Sequence, residues 1–398
     1  MATGKPLSIV HCVRAPVGGV LRHILDLVRE QHAAGHHVGL LCDSLTGGPH
    51  EERQLAEIKP YLALGMHRIA MPRSISPKDV PAALAVTRHL RTLKPDVLHG
   101  HGAKGGIFAR LAGTLLRMGG HKVTRLYCPH GGSLHYSAGS LQGRIYFAVE
   151  RLFERMSDGL VFVSRYEAEQ YEQKVGTPRV AVRVVYNGLR DEEFRPVPTE
   201  AGGRDFLFIG TLRDLKGPDV FIRALAALPA RDNGKPANAA IVGDGDDKPS
   251  LEALVAALGL EERVTFHPAM PARKAFAMAD AVIVPSRAES MPYIVLEAIA
   301  AGKPIVASRV GGIPEILHDD TEQMVPADDP AALAREMAKL LGDRETAVSA
   351  AVQRANRLHA RFSCSAMAHE IEQFYRDTLD SRAPASSPLS GTARSAAE

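Results

Sequence analysis

The chain has 398 residues, 45% of them hydrophobic and 23% charged, with a net charge of +3. That balance is ordinary for a globular protein, and no run of about 18 apolar residues offers a transmembrane helix. The four cysteines (Cys12, Cys42, Cys128, Cys364) lie far apart without a Cys-x-x-Cys pair, which excludes a disulfide framework and a thiolate zinc site.

Domains usually run to roughly 100–200 residues, so this length predicts two of them. The stretch Met1 to Lys5, followed directly by the apolar run Leu7 to Val13, lacks the long apolar core and cleavage site of a signal peptide, and the expected location is the cytoplasm. Along the chain, strand-length apolar runs alternate with amphipathic helix-length stretches, the pattern of parallel βαβ units. A first series comprises Leu7 to Val13, His37 to Cys42, Val97 to His99, Thr124 to Cys128 and Gly159 to Val163. A linker reads at Asp191 to Arg204, with Pro196, Pro198, Gly202 and Gly203. A second series follows at Phe206 to Ile209, Ala239 to Val242, Arg263 to Phe266, Ala281 to Val284 and Pro304 to Ala307. The predicted division is residues 1–195, residues 204–362, a last helix at 363–380 and an Ala-, Ser- and Pro-rich disordered tail at 381–398.

In open α/β sheets, ligands gather beyond the carboxyl ends of the strands. The second series opens with a strand followed by Gly210 to Gly217, which brings Arg213 and Lys216 to the sheet mouth in a composition suited to a diphosphate. Further on, Pro292 marks a helix start, with Glu289 in the loop before it and Glu297 inside the helix. Such a helix end offers backbone N–H groups and partial positive charge to phosphate oxygens. The carboxylates suit the ribose and hexose hydroxyls of a nucleotide sugar. The ordinary alternatives are solvated loop charges and surface carboxylates on an amphipathic helix.

These segments, with Gly243-Asp244-Gly245 after a strand, the Glu289/Glu297 pair, Gly302-Lys303-Pro304 and Gly311-Gly312-Ile313-Pro314-Glu315, closely resemble glycosyltransferase family 4 over nearly the whole chain. The resemblance implies a GT-B fold: two Rossmann-like α/β domains facing each other across a cleft, the C-terminal helix crossing back to the first. It implies a retaining, metal-independent hexosyltransferase that takes a UDP- or GDP-sugar, with no cofactor. Glu289 would contact the donor sugar, Glu297 the ribose, and Arg213 and Lys216 the diphosphate. Gly18 and Gly19, at the start of the first helix, would close over the donor. Gly210, Gly243, Phe266, His267, Met291, Pro292, Tyr293 and Ile294 complete the expected donor site, the base being held by backbone around Phe266 to Ala269. Many relatives have Gly or Ser, Phe and Gly after the first glutamate; Ser290-Met291-Pro292 stands here. Pro292 lacks an N–H, which passes phosphate contact to Tyr293 and Ile294.

Two histidine-rich loops remain, His99-Gly100-His101 and Cys128-Pro129-His130. His-x-His at a strand end can supply two metal ligands, but no acidic or cysteine partner accompanies it at ligand spacing. By the resemblance, His130 lies at the sugar's reacting face; the alternative is a structural loop histidine. No Asp-x-Asp triplet of the metal-binding kind is read at a strand end, and metal is expected to be absent.

Residues 1–200 hold 26 Lys+Arg against 18 Asp+Glu, a local charge of +8, leaving 22 against 27 for the rest. A basic first half suits an anionic partner such as a lipid surface or a phosphorylated acceptor; the alternative is a solvated basic face. The segment Gln142 to Met156 sets Arg144, Arg151 and Arg155 beside Ile145, Phe147, Val149, Leu152 and Phe153, a basic amphipathic helix that either lies on an anionic inner membrane or packs on the first sheet. The membrane reading implies a lipid-linked or saccharide acceptor in bacterial lipopolysaccharide or exopolysaccharide synthesis. The competing classes are a nucleotide-sugar epimerase or phosphorylase of the same architecture and a non-catalytic sugar-binding module. No nucleic-acid partner is expected.

Overall fold

The computed structural model describes residues 5–73, 76–230, 234–318 and 324–380. The tail at 381–398, expected to be disordered, lies outside them. The chain divides into two compact units, the first being Met1–Val163, Glu167–Val185 and Ala368–Glu398, the second Ser164–Tyr166 and Tyr186–Met367. The second unit takes up the chain ahead of residue 195, because Leu189 N–H donates to Phe362 O and Cys364 N–H to Leu189 O, each at 2.8 Å.

The first unit is built on seven strands: β1 (Ser8–Val13), β2 (His37–Asp43), β3 (Met66–Ile69), β4 (Val97–His101), β5 (Thr124–Cys128), β6 (Gly159–Phe162) and β7 (Ala181–Val184). Their order is β3-β2-β1-β4-β5-β6-β7, with every pair parallel, so the order reverses between β1 and β4. Alternation along β1 sends Val10 and Cys12 into one apolar cluster with Leu98, while Val13 joins the cluster beneath helix Gly18–Ala33. The far part of helix Cys364–Asp380 belongs to this unit: Phe374 lies against Gly159, and Tyr375 Oη lies 2.8 Å from His99 Nδ1.

The second unit holds six strands: β8 (Arg204–Ile209), β9 (Ala239–Val242), β10 (Val264–His267), β11 (Ala279–Val284), β12 (Ile305–Ser308) and β13 (Met324–Val325). Their order β10-β9-β8-β11-β12-β13 is again parallel and reverses between β8 and β11. One core, containing Phe206, Phe208, Phe221, Ile241, Ile283 and Leu333, fills a face of this sheet. All four cysteines are free and buried, and burial pushes the Cys42 thiol up to about 11.

Candidate active site

A crevice opens where strand order reverses, because the connections leave to opposite faces of the sheet. In the second unit the loops after β8 and β11 meet there. Arg287 N–H donates to Leu215 O at 2.9 Å, and the Arg287 guanidinium grips Asp219 at 2.8 and 2.9 Å. Across this joint Lys216 Nζ reaches Glu289 Oε1 at 2.6 Å, and Ser286 Oγ donates to the same oxygen at 2.7 Å. Glu289 is buried, while Lys216 is a quarter exposed. Arg213 is exposed and bonds to no described side chain through its guanidinium.

Glycines make the closeness of these loops achievable. Gly311 has φ +59°, and a Cβ there would overlap the carbonyl oxygen of Glu289. Gly243, at φ +150°, is packed in the same way against Gly210 O. A side chain at either position would push the loops apart. Gly312 N–H donates to Ser290 O at 2.9 Å, so the glycine pair holds the Glu289 loop by its backbone. Glu315 of the same motif accepts from Arg165 and Tyr166 N–H at 2.9 and 2.8 Å and is occupied structurally.

Helix Tyr293–Ala300 starts after Pro292, which makes no side-chain cap, and first-turn N–H groups have no intrahelical acceptor. Tyr293 and Met291 are buried, Ile294 and Glu297 half-buried. Asn187 Nδ2 holds Met291 O at 2.9 Å. Phe266 and His267 are half-buried at the end of β10, where His267 O accepts from Gly243 N–H at 3.0 Å. One sequence reading is corrected: Asp244-Gly245-Asp246 is an Asp-x-Asp triplet directly beyond β9. Asp244 Oδ2 is engaged by Ala269 N–H at 3.0 Å, so this carboxylate shapes the turn.

In the first unit, Gly18 and Gly19 are exposed at the start of helix Gly18–Ala33, and a Cβ on Gly18 would meet nothing within 4 Å. At the reversal between β1 and β4, His11 pairs in register with His99, and Val13 with His101. Period-two alternation turns these three imidazoles to one face, under helix Gly18–Ala33, whose His23 and Gln31 face down at helical spacing. His130, just past β5, adopts φ +53°, a strained setting for a residue with a Cβ. The buried Glu167 carboxylate accepts from Gly131 N–H and, at 2.9 Å, from Val163 N–H, which pins the loop behind His130.

His11 Nδ1 lies 2.9 Å from His101 Nε2, and His101 Nδ1 lies 3.0 Å from His130 Nε2. Burial lowers His11 to about 4 and takes His99, His101 and His130 well below the usual histidine range, so the cluster is neutral at pH 7. Two triads, His11/His99/His101 and His23/His101/His130, have ring nitrogens within 4.8 Å of one another. His-x-His therefore has ring partners that the sequence reading missed. The alternation of His11 within an apolar strand was the available signal; Gln31 and Tyr375 gave none.

Two Rossmann-like units, each with its loops at a strand-order switch point, have the architecture of the GT-B fold. The family profile described as "Glycosyltransferase Family 4" matches residues 17–193, and that described as "Glycosyl transferases group 1" matches residues 203–343. A D-inositol 3-phosphate glycosyltransferase of Streptomyces avermitilis is 30% identical over 384 residues, covering 86% of this chain and 79% of the relative. One from Nocardia farcinica is 34% identical over 207 residues, and there the match spans about half of each protein, 48% of this chain and 46% of the relative. Among solved structures, Anabaena HepE in complex with UDP and glucose superposes with a TM-score of 0.78 at 18% identity, covering 93% of this chain and 100% of that one. The chain belongs to glycosyltransferase family 4.

Proposed function

We propose that this enzyme moves a hexose from a UDP- or GDP-sugar to a saccharide or lipid-linked acceptor, with retention of anomeric configuration and without a metal ion. The observation that carries this reading is the Lys216–Glu289–Ser286 constellation beside the uncapped helix start at Pro292. Breaking the bond between the sugar and the diphosphate leaves negative charge on phosphate oxygen. Lys216, Arg213 and the N–H groups of Tyr293 and Ile294 are the groups to stabilise it, each well-placed donor being worth on the order of 100-fold to 1,000-fold in rate. Glu289 Oε1 is taken by Lys216 and Ser286, which leaves Oε2 to accept from a sugar hydroxyl, while Glu297 takes the ribose hydroxyls. Gly210 and Gly243 admit the diphosphate, and backbone from Phe266 to Ala269 takes the base.

Same-face attack is preferred over a covalent intermediate: the ring neighbours of His130 are the imidazoles of His23 and His101, and the Glu167 carboxylate behind its loop is held by Gly131 and Val163 N–H. The acceptor oxygen bonds to the anomeric carbon as the carbon–phosphate-oxygen bond breaks, and the departing phosphate takes the acceptor proton. Transfer in EDTA, with the product linkage read by NMR before it equilibrates, is expected to show the anomeric configuration of the donor. An inverted product, or activity that only a divalent ion restores, contradicts the mechanism.

Helix Leu141–Glu154 supports a lipid-linked acceptor on an anionic inner-membrane surface. Its carboxylates face inward: Glu150 accepts from Tyr127 Oη at 2.7 Å, Ser133 Oγ at 2.9 Å and Arg110 at 3.0 Å. Its outward stripe is Leu141, Ile145 and Leu152, 74%, 51% and 52% exposed, flanked by exposed Arg144 and Arg155. A stripe of this composition suits the headgroup layer of an anionic bilayer. A second reading, a phosphorylated polyol acceptor, is favoured by the names of the relatives and by the basic first half of the chain; transfer to inositol phosphate in solution separates the two.

A further inference from the structure

Three buried imidazoles of the first unit face one another, and each has its far nitrogen supported by a polar group, which is how metal-binding histidines are held in proteins. His11 on β1 and His99 and His101 on β4 are at most 1% exposed, and their ring nitrogens come within 4.8 Å of one another. Each ring has a neighbour able to accept its one N–H. His11 Nε2 lies 2.8 Å from Gln31 Oε1, His99 Nδ1 lies 2.8 Å from Tyr375 Oη, and His101 Nδ1 lies 3.0 Å from His130 Nε2. A ring that gives its proton to such a partner has a bare nitrogen on its other side. Those nitrogens are His11 Nδ1, His101 Nε2 and His99 Nε2. The first two lie 2.9 Å apart, and the third is buried with no hydrogen-bond partner among the described residues. A proton shared by His11 and His101 would satisfy that pair, but it leaves His99 Nε2 orphaned; an ion answers all three.

We propose that His11 Nδ1, His99 Nε2 and His101 Nε2 bind a zinc ion that clamps β1 to β4 where the strand order reverses. All three ligands and their supporting partners belong to the first unit. Imidazole nitrogen suits zinc and its transition-metal neighbours, whereas magnesium and calcium prefer oxygen. Zinc–nitrogen bonds of about 2.0–2.1 Å set tetrahedral ligands roughly 3.3–3.4 Å apart, so His11 and His101 need part by only about half an ångström. A hydroxide in the fourth position halves the charge that three neutral rings leave uncompensated. The second triad, His23/His101/His130, shares His101, so one ion excludes the other, and an ion there leaves His99 Nε2 unpartnered. The ion is structural. It takes no part in the transfer proposed above, whose cationic groups lie in the second unit, so the two readings fail separately.

The test is the zinc content of the full-length protein, made without a histidine tag in zinc-supplemented medium, dialysed against EDTA at pH 7.5 and then unfolded in guanidinium with a colorimetric chelator. About one zinc per chain is expected to stay with the folded protein and to be released on unfolding, because ligands this buried exchange only when the structure opens. His99→Leu is expected to hold less than about a tenth of that zinc. His67→Asn with His89→Asn removes a stacked pair of half-buried histidines elsewhere in the unit and is expected to keep all of it. If His99→Leu does not fold, His99→Cys decides the placement. Reconstituted with cobalt, it is expected to show a thiolate-to-cobalt charge-transfer band in the near ultraviolet that the wild type lacks. Wild-type protein with less than about a tenth of an equivalent, zinc that EDTA strips from the folded chain, zinc that His99→Leu retains, or a His99→Cys protein without the charge-transfer band overturns the proposal.

Discussion

At the switch point of the second sheet the candidate side chains stand on loops, Lys216 a quarter exposed in an ion pair with Glu289, whereas at that of the first sheet they stand on or just beyond the strands and burial holds the imidazoles neutral. One backbone geometry thus supports two electrostatic strategies. A site that must stabilise growing negative charge keeps cations near water, where holding them ionised costs little. A cluster of neutral imidazoles can be buried where its ring nitrogens hydrogen-bond to one another.

The largest effect expected from this contrast is on Lys216→Ala. Transfer should fall by about 100-fold to 1,000-fold, as for loss of one preorganised donor. The melting temperature should move by only a few degrees, because partly exposed ion pairs contribute about 1 kcal/mol or less. Steady-state turnover and a melting curve check both halves; a variant that keeps full turnover would remove Lys216 from the reaction.

The first unit should respond to pH instead. His11 falls from 6.5 unfolded to about 4 folded, and His99, His101 and His130 shift in the same direction. Below pH 6.5 the unfolded chain therefore takes up protons that the folded chain refuses. The stability from these groups is complete above pH 6.5 and is lost as pH falls towards the folded values, at up to about 1.4 kcal/mol per pH unit for each histidine. Urea midpoints at pH 7.5, 6.5 and 5.5 measure it. A flat profile would contradict burial in the neutral form.

The contrast also explains what the sequence disclosed. The donor-side loops were legible because close backbone approach demands glycine, and glycines at fixed offsets around Glu289 leave a signature. The central strands were legible as apolar runs. Edge strands β3, β7 and β13 were not: β3 and β7 are half-buried along their length and β13 has two residues, so none produces a strong apolar run. The histidine chain joins β1, β4, the loop after β5, helix Gly18–Ala33 and helix Cys364–Asp380. Its members are adjacent only because strand order reverses at β1, and spacing along the chain holds no trace of that. Helix Leu141–Glu154 was legible only in part. Its amphipathicity left two readings open, a membrane face or packing on the first sheet; Arg110, Tyr127 and Tyr171 draw Glu150 and Glu154 inward, Phe147 is buried, and Ile145 and Leu152 stay exposed.

That outward stripe predicts the smallest effect. Ile145→Asp with Leu152→Asp should reduce co-sedimentation with vesicles containing anionic lipid by about tenfold, from the lost apolar burial and the added negative charge. Transfer to a soluble acceptor should be unchanged. Equal binding by both proteins would leave the stripe without a membrane role.

Whether the second unit binds a nucleoside diphosphate unaided by metal is tested most directly by melting the protein with UDP, GDP, ADP or dTDP in EDTA, alongside Glu297→Ala. One nucleotide at about 100 times its Kd should stabilise the wild type by about 2.7 kcal/mol, and the variant by clearly less. No shift with any of the four, or a shift that Glu297→Ala leaves intact, would contradict the donor site described here.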